Sequence, residues 1–238
     1  MSESLNIDPN EQRKFAALAN SWWDPDGDFR PLHDLNPIRF RFISERSTLD
    51  GAKVLDVGCG GGLLCESMAA AGATVTGIDV VEKSLKVARL HLHESGQQVD
   101  YQLITAEQLA DQAPGSFDVV TCLEMLEHVP QPDEIVNACA RLVKPSGELF
   151  FSTINRTPQA FALAIVGAEY VLRLLPRGTH EYDKFIRPSE LSGWCRQAGL
   201  EVAQIAGLHY NPLNRSARLG GGVGVNYMLH ASPGEEAA

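Results

Sequence analysis

Apolar and polar positions follow two alternating patterns along the chain from residue 53 onward. Short apolar runs predict strands, and the stretches between them repeat apolar residues at helical spacing. The expected strands are 53–57, 74–78, 99–104, 117–122 and 148–152, and the expected helices are 82–94, 133–143, 188–198 and a run that ends at 71. Strands and helices that alternate in this way are joined by right-handed crossovers. The pattern therefore predicts an α/β fold with a doubly wound, mainly parallel sheet and helices on both faces.

The N-terminal region is expected to be helical and to precede this sheet. Residues 11–22 repeat apolar residues at helical spacing. A second helix is expected to start near Pro37, because proline suits the first turn of a helix. We therefore expect an N-terminal helical cap over residues 1–35.

The main domain is expected to span residues 36–238. Two late apolar runs, 200–206 and 225–231, are expected to close the sheet, the last of them antiparallel. An apolar helical insertion or lid is expected at 155–186, between the fifth strand and the last helix.

The composition argues against a nucleic-acid-binding protein and against a fold held by disulfides or cysteine-bound zinc. The chain has 238 residues, with 30 acidic and 20 basic side chains, which gives a formal net charge of −10. Because duplex binding relies on neutralising phosphates with a basic surface, this balance argues against nucleic acid as a partner. The five cysteines include no C-x-x-C pair, which argues against a disulfide scaffold and a cysteine zinc site. With no signal peptide and no apolar run of about 18 residues, a cytoplasmic protein is expected.

The first expected strand ends in a glycine-rich loop, Gly58-Cys59-Gly60-Gly61-Gly62. Glycine permits positive φ and lets the backbone approach a ligand without hindrance from a Cβ atom. In a doubly wound sheet this loop lies outside the carboxyl ends of the strands, where cofactors bind. We therefore expect Gly58 and Gly60 to lie against a cofactor.

Three acidic residues near this loop distinguish between cofactors. Asp56 precedes the loop, where a carboxylate repels a pyrophosphate and attracts an amine or a sulfonium. Asp79 ends the second strand, where an acid accepts both hydroxyls of a ribose. Glu107 follows the third strand, where it either reaches an adenine or serves as the N-terminal acid of a helix. Together they favour S-adenosylmethionine over the alternative, a nicotinamide dinucleotide, whose G-x-G-x-x-G pattern requires glycine in place of Leu63.

A cluster of metal-capable residues follows the fourth strand. If the chain turns helical after residue 122, then Glu124, Glu127 and His128 are spaced i, i+3 and i+4 and share one face. Such a set predicts a divalent metal site, with Mg²⁺ or Mn²⁺ suited to the carboxylates and Zn²⁺ to the imidazole. A metal ion, or His128 acting as proton acceptor, would convert a phenol into a nucleophilic phenolate. The structural alternative is that Glu127 caps the next element and His128 binds backbone groups.

The apolar run 160–176 within the insertion predicts a helix that is apolar on nearly all sides. It is either a buried lid helix or a segment that contacts a membrane or a lipid-tailed substrate. Residues 153–188 carry five basic and three acidic side chains, so this region is locally positive on an acidic chain. An anionic membrane surface attracts such a patch, although the run is too short and too charged to span a bilayer.

Seven further motifs carry a resemblance to a known family. They are Trp22-Trp23-Asp24, Phe29-Arg30-Pro31-Leu32-His33, Asn36-Pro37-Ile38-Arg39, Thr121-Cys122-Leu123-Glu124-Met125-Leu126-Glu127-His128-Val129-Pro130, Val166-Gly167-Ala168-Glu169-Tyr170, Pro176-Arg177-Gly178-Thr179-His180 and Gly207-Leu208-His209-Tyr210-Asn211-Pro212. With them, the sequence resembles the ubiquinone biosynthesis O-methyltransferases, which have the class I, Rossmann-like methyltransferase fold. The resemblance extends over almost the whole chain.

This resemblance implies two O-methylations in coenzyme Q assembly, on a polyprenylated catechol-type intermediate and on demethylubiquinol. It implies that the insertion associates peripherally with the inner membrane, and a ubiquinone-biosynthesis complex is a further expected partner. Two hypotheses compete with this activity. One is a non-catalytic S-adenosylmethionine-binding partner of such a complex, and the other is a dinucleotide-dependent oxidoreductase.

The resemblance also implies roles for individual residues. The positions that match the family's methyl-donor contacts are Arg39, Gly58, Asp79 and Leu123. The positions that match the metal-binding residues of its eukaryotic members are Glu124, Glu127 and His128.

Overall fold

The computed structural model describes residues 6–163 and 181–234, in which eight strands form a single sheet. The strands are β1 (Lys53–Val57), β2 (Thr74–Asp79), β3 (Val99–Leu103), β4 (Phe117–Leu123), β5 (Val143–Ile154), β6 (Leu200–Asn211), β7 (Ser216–Leu219) and β8 (Asn226–Pro233). Their order is β3-β2-β1-β4-β5-β8-β6-β7. Pairing is parallel from β3 to β5, whereas β8 is antiparallel to β5 and β6, and β7 is antiparallel to β6. The predicted mainly parallel sheet with an antiparallel closing strand is therefore confirmed.

Helices precede the sheet and connect its strands. They are α1 (Pro9–Leu18), α2 (Arg30–Ser44), α3 (Leu63–Ala70), α4 (Glu82–Ser95), α5 (Ala106–Gln112), α6 (Pro132–Leu142), the short α7 (Pro158–Ala160) and α8 (Pro188–Gln197). Short 3₁₀ turns are formed by Ala19–Ser21, Leu126–His128 and Tyr182–Lys184.

The sheet has a hydrophobic core on each of its faces. Successive side chains of a strand point to opposite faces. In β1, accordingly, Leu55 belongs to the cluster that includes residues of α5, α6 and α8, whereas Val54 belongs to the cluster that includes residues of α2, α3 and α4. Phe151 and Phe150 of β5 divide between the two clusters in the same way. Burial on both faces explains why adjacent positions of these strands, such as Val54-Leu55 and Phe150-Phe151, are both apolar.

Helix α2 begins at Arg30, seven residues before the predicted start at Pro37, which lies inside the helix. Pro31 satisfies the preference for proline in the first turn, so the rule that pointed to Pro37 fits the earlier proline instead. The helix therefore crosses the position between residues 35 and 36 where the cap was expected to end. The division into cap and main domain stays a prediction.

Strand β7 and helix α5 were not predicted from the sequence. The edge strand β7 contains only four residues, half of them polar or charged, so it carries little apolar signal. Helix α5 had a recognisable signal, because the Thr105 side chain accepts a hydrogen bond from the backbone of Gln108 and the Gln108 side chain reaches back. This reciprocal pair is a capping box, whose sequence pattern marks a helix N-terminus.

The expected insertion at 155–186 is described only at its two ends. These ends contain α7 and the turn at Tyr182–Lys184, and most of the predicted apolar helix at 160–176 lies outside the described residues. Among the helices that the structure describes, none is long and apolar enough to cross a membrane.

Candidate active site

A cavity of about 490 Å³ opens at the carboxyl ends of the central strands. All ten residues singled out from the sequence line it, namely Arg39, Asp56, Gly58, Gly60, Asp79, Glu107, Leu123, Glu124, Glu127 and His128. They come from α2, from the ends of β1, β2 and β4, from the glycine loop, from the turn that follows β4, and from the first turn of α5. The topology thus brings together residues that are up to 89 positions apart in the sequence.

The glycine loop has the conformation that its composition predicts. Gly58, Gly60 and Gly62 have φ values of 73°, 53° and 86°, in the region that glycine adopts without strain. A Cβ atom on Gly58 would lie 2.6 Å from Cγ of Met125, so only glycine leaves room there. Met125 was not expected at the site, and it lines the cavity next to Gly58.

Asp79 holds the glycine loop in place from the end of β2. Its Oδ2 accepts a hydrogen bond from the Gly60 amide at 2.8 Å, and its Oδ1 accepts one from the Val81 amide at 2.7 Å. Burial raises the pKa of Asp79 above its ordinary value, and these hydrogen bonds oppose the shift. The carboxylate is therefore fixed beside the loop, where the sequence predicts contact with a ribose.

The N-terminal region covers the same loop. A Cβ atom on Gly61 would lie 2.6 Å from Cβ of Trp22, so the tryptophan packs directly on the loop backbone. Trp22 stacks on Phe29 with ring centroids 3.8 Å apart, and its Nε1 donates a hydrogen bond to Ser84. This contact makes the N-terminal region part of the cavity wall.

Asp56 lies beneath the loop and is almost completely buried. Its Oδ1 accepts a hydrogen bond from the Thr121 hydroxyl at 2.7 Å, and its Oδ2 accepts one from the Cys65 thiol at 3.2 Å. Burial raises its pKa to about 6 despite these hydrogen bonds. Both oxygens thus have protein partners, and the pairing with a positive donor group expected for Asp56 stays a prediction.

This pKa predicts how stability depends on pH. The folded state binds a proton on Asp56 near pH 6, whereas an unfolded aspartate binds it near the ordinary value of 3.8. Lowering the pH from 7 to 5 therefore favours the folded state by about 1.3 kcal/mol for this group, since one pKa unit corresponds to about 1.4 kcal/mol. The full effect of about 3 kcal/mol is reached only below the unfolded pKa of 3.8. We expect Asp56→Asn to reduce the increase in unfolding free energy between pH 7 and pH 5, measured by denaturant titration.

Asp118→Asn provides the matched control for that titration. Its hydrogen bonds to Lys144 and to the Lys53 backbone lower the pKa of Asp118, so this group changes stability only below the measured interval. An unchanged pH slope in Asp56→Asn would contradict the prediction.

Arg39 reaches the cavity from α2 with unused hydrogen-bonding capacity. The side chain is buried, and its Nε and Nη2 make no hydrogen bond to any residue that the structure describes. Nη2 lies 3.2 Å from Oε1 of Glu124, an ion pair without hydrogen-bond geometry. A buried guanidinium with open donors is suited to bind an anionic group such as a carboxylate.

Glu124 does not lie on a helix, contrary to the expectation. β4 continues to Leu123, and Glu124 then adopts a left-handed backbone conformation with a φ of 53°. Its carboxylate accepts hydrogen bonds from Ser152 at 2.7 Å and from Asn226 at 3.2 Å. Asn226, at the start of β8, is a further residue that sequence reasoning missed.

Glu127 and His128 follow in a single 3₁₀ turn and bind partners of their own. Oε2 of the buried Glu127 accepts a hydrogen bond from Thr153 at 2.9 Å, and its Oε1 has no hydrogen-bond partner within the described ranges. Burial raises the pKa of Glu127, and the neighbouring charge of Glu124 adds to the shift. Nδ1 of His128 lies 2.9 Å from Oε2 of Glu11.

The predicted metal ligands therefore do not form one ligand set. The helical face that would have carried them is absent, because Glu124 has a left-handed backbone conformation and only Leu126–His128 form a 3₁₀ turn. Within the described ranges, no group of three or more histidine, cysteine, aspartate or glutamate side chains is placed to hold a metal ion.

Glu107 lies in the first turn of α5. Its Oε1 accepts a hydrogen bond from Asn6, and its Oε2 is buried without a hydrogen-bond partner among residues 6–163 and 181–234. An open acceptor oxygen in the cavity wall is suited to an exocyclic amine. The side chain thus keeps both roles considered from the sequence, as a helix N-terminal acid and as a ligand contact.

Comparison with known proteins assigns the family. Residues 31–205 match the family described as a methyltransferase domain. The chain is 61% identical over 224 residues to the ubiquinone biosynthesis O-methyltransferase of Pseudomonas aeruginosa (strain LESB58), covering 94% of this chain and 97% of the relative. It is 59% identical over 228 residues to the protein of that name from Aromatoleum aromaticum (strain DSM 19018 / LMG 30748 / EbN1), covering 96% and 97%.

Solved structures agree on the fold. Magnesium protoporphyrin IX methyltransferase from Synechocystis PCC 6803 with bound SAM superimposes with a TM-score of 0.65 at 19% identity, over 97% of this chain and 99% of that one. A SAM-dependent methyltransferase from Thermotoga maritima gives a TM-score of 0.67 at 17% identity, over 93% and 99%. The expected class I methyltransferase fold is confirmed. The chain belongs to the ubiquinone biosynthesis O-methyltransferase family and is an S-adenosylmethionine-dependent O-methyltransferase.

Proposed function

We propose that the protein methylates a hydroxyl group of polyprenylated catechol-type intermediates and of demethylubiquinol. One observation carries this proposal, namely that a single cavity extends from the glycine loop to His128. Besides polar groups, this cavity is lined by apolar side chains that suit a lipid-tailed ring, among them Phe15, Ile154, Leu163, Leu208 and Val225. The relatives' name, which refers to ubiquinone biosynthesis, supports the same substrate class.

The cavity contains groups that match each part of the methyl donor. Asp79 would bind the ribose hydroxyls, Glu107 the adenine amine, and Arg39 the carboxylate of the amino-acid part. Gly58, Gly60 and Leu123 would form the surface against which the donor lies. When bound, S-adenosylmethionine supplies an electrophilic methyl group on a positively charged sulfur.

On the acceptor side, the residues must remove a proton from the attacking oxygen. A phenol with a pKa near 10 is mostly protonated at neutral pH and is a poor nucleophile. His128 lines the cavity and would accept this proton as the oxygen attacks the methyl carbon. Glu124 and Glu127 line the same cavity and stay candidate catalytic residues beside His128.

A divalent metal stays a separate prediction. Oε1 of the buried Glu127, which has no hydrogen-bond partner among the described residues, supports it, whereas the separate partners of Glu124 and His128 do not. The assignments above are therefore made without a metal.

Methyl transfer to a demethylubiquinol analogue tests the proposal. With tritiated donor, the label is expected in the O-methylated quinol, and absence of label would contradict the proposed substrate. A parallel sample treated with chelator separates the metal question. Loss of transfer that Mg²⁺ or Zn²⁺ restores would establish a metal requirement, whereas unchanged transfer would leave proton removal to His128.

We further propose that the region 160–176 binds an anionic membrane surface and thereby brings the enzyme to its lipid-tailed substrate. The described edge of this region supports it, because Phe161 and Leu163 are exposed apolar side chains. A complex of ubiquinone-biosynthesis enzymes on the same membrane is a further proposed partner.

We expect intact protein to sediment with vesicles that contain phosphatidylglycerol, and expect deletion of 160–176 to abolish this binding, because the apolar area and positive charge act together. Vesicles of phosphatidylcholine alone are the control for charge. Equal sedimentation of the deletion variant would reject the proposed segment.

A further inference from the structure

Two side chains of helix α1 contact the ring of His128. Glu11 and Phe15 are four residues apart, so they lie on the same face of the helix. Oε2 of Glu11 lies 2.9 Å from Nδ1 of His128, and the Phe15 ring meets the imidazole edge-on with centroids 5.0 Å apart. The side chains of Glu11 and His128 are 8% and 12% exposed, so this pair is largely shielded from water.

The hydrogen bond determines which ring nitrogen carries the proton. An ionised carboxylate only accepts hydrogen bonds, so Nδ1 of His128 must be the donor. In the neutral ring Nε2 is then the nitrogen with a lone pair, and it is the one that can accept a proton from a substrate. We infer that Glu11 is a positioning residue that holds His128 in the orientation and tautomer needed to remove the proton of the acceptor hydroxyl.

The other carboxylate oxygen of Glu11 has cationic neighbours. Its Oε1 lies 2.8 Å from Nζ of Lys14 and 3.7 Å from Nζ of Lys184. These cations require an oxygen at that position, so the orientation of the carboxyl group is fixed. Oε2 is thereby directed to His128.

Helix α1 is also tied to the donor side of the cavity. The Gln12 side chain donates a hydrogen bond of 2.7 Å to the carbonyl of Val80, the residue after Asp79. The segment that follows α1 packs on the glycine loop through Trp22. The helix that orients the proton acceptor is thus seated on the elements proposed to bind the methyl donor.

Glu11→Gln tests this role with almost no change in size. Lys14 and Lys184 attract the amide oxygen, so the amide nitrogen faces His128 and donates to Nδ1. The proton of the neutral ring then moves to Nε2, and the acceptor atom is lost. We expect kcat for methyl transfer to fall about 100-fold, within the range of about 10² to 10⁴ that general base catalysis contributes, while Kd for the donor stays unchanged.

A double-mutant cycle shows whether Glu11 acts through His128. We expect His128→Ala/Glu11→Gln to be no slower than His128→Ala alone, because residues that act as a unit are non-additive. Effects of Glu11→Gln that multiply with those of His128→Ala, or a kcat within twofold of the unmodified protein, would overturn the inference. ¹⁵N shifts of the labelled ring provide a readout besides activity, with the lone pair expected on Nε2 in the unmodified protein and on Nδ1 in Glu11→Gln.

Glu66→Gln is the matched control. The Glu66 side chain is 7% exposed, against 8% for Glu11, and it forms a hydrogen bond of 2.9 Å to a histidine, His91, but neither residue lines the cavity. We expect this variant to keep its kcat.

The inference rests on the proposed role of His128 as proton acceptor, and different results would overturn the inference alone or both proposals together. If His128→Ala retains full kcat, the proton-accepting role and the inference are both overturned. If kcat is low in His128→Ala but unchanged in Glu11→Gln, only the inference about Glu11 is overturned.

Discussion

The His128→Ala variant is expected to lower kcat for methyl transfer by about 10²- to 10⁴-fold, the range that a positioned proton acceptor contributes. The attacking oxygen must lose its proton, and His128 is the cavity residue whose ring is held by partners on another helix. Kd for S-adenosylmethionine, measured by calorimetry, is expected to stay the same, because none of the proposed donor contacts is changed.

His230→Ala controls for the removal of a buried imidazole. Its side chain is 13% exposed, against 12% for His128, and it forms a hydrogen bond of 2.6 Å to Glu148. His230 does not line the cavity, so we expect an unchanged kcat. Similar losses of kcat in both variants would indicate structural damage and contradict a specific role for His128.

The second large effect is expected from Asp79→Ala, which should weaken donor binding at least about 100-fold. The carboxylate is proposed to accept two ribose hydroxyls, and hydrogen bonds to a charged group are worth about 1.5–3 kcal/mol each. The variant also leaves the amides of Gly60 and Val81 without their acceptor, so the loop loses its support. Calorimetric titration of donor and of its demethylated product measures this loss.

Asp118→Ala is the matched control for donor binding. Asp118 also accepts a backbone hydrogen bond, from Lys53 at 2.9 Å, but it lies at the opposite end of β4 and outside the cavity. We expect its donor Kd to be unchanged. Full affinity in Asp79→Ala would show that the ribose binds elsewhere.

The central strands β1, β4 and β5 were predictable because most of their residues are buried on both faces of the sheet. Strand β1 is recognised without knowledge of its neighbours because three of its five residues are apolar, and the predicted 53–57 matches the observed bounds. The glycine loop and Asp79 were predictable for a related reason. The carboxyl ends of neighbouring parallel strands meet at one edge of the sheet, so position along the strand is enough to bring these residues together.

The acceptor half of the site was less predictable. The i, i+3, i+4 spacing suggested a helical face, but Glu124 adopts a left-handed conformation that spacing does not reveal. Its partner Asn226 is 102 positions away, and Glu11 is 117 positions from His128. Contacts of this kind depend on where a preceding helix and a closing strand pack, which no local pattern specifies.

The packing of Trp22 on the loop restricts which substitutions the chain can accept together. Gly60 must remain glycine for two reasons, its φ of 53° and the nearby indole, whereas Gly61 has an ordinary φ and is restricted by Trp22 alone. A Cβ atom at position 61 would overlap with Cβ of Trp22 as well as with its indole, so alanine at position 61 fits this backbone only if position 22 also becomes glycine. Directed evolution of this enzyme would therefore have to vary positions 22 and 61 as a pair. A change of Gly61 alone produces an overlap with Trp22, and a change of Trp22 alone removes its contact with the loop.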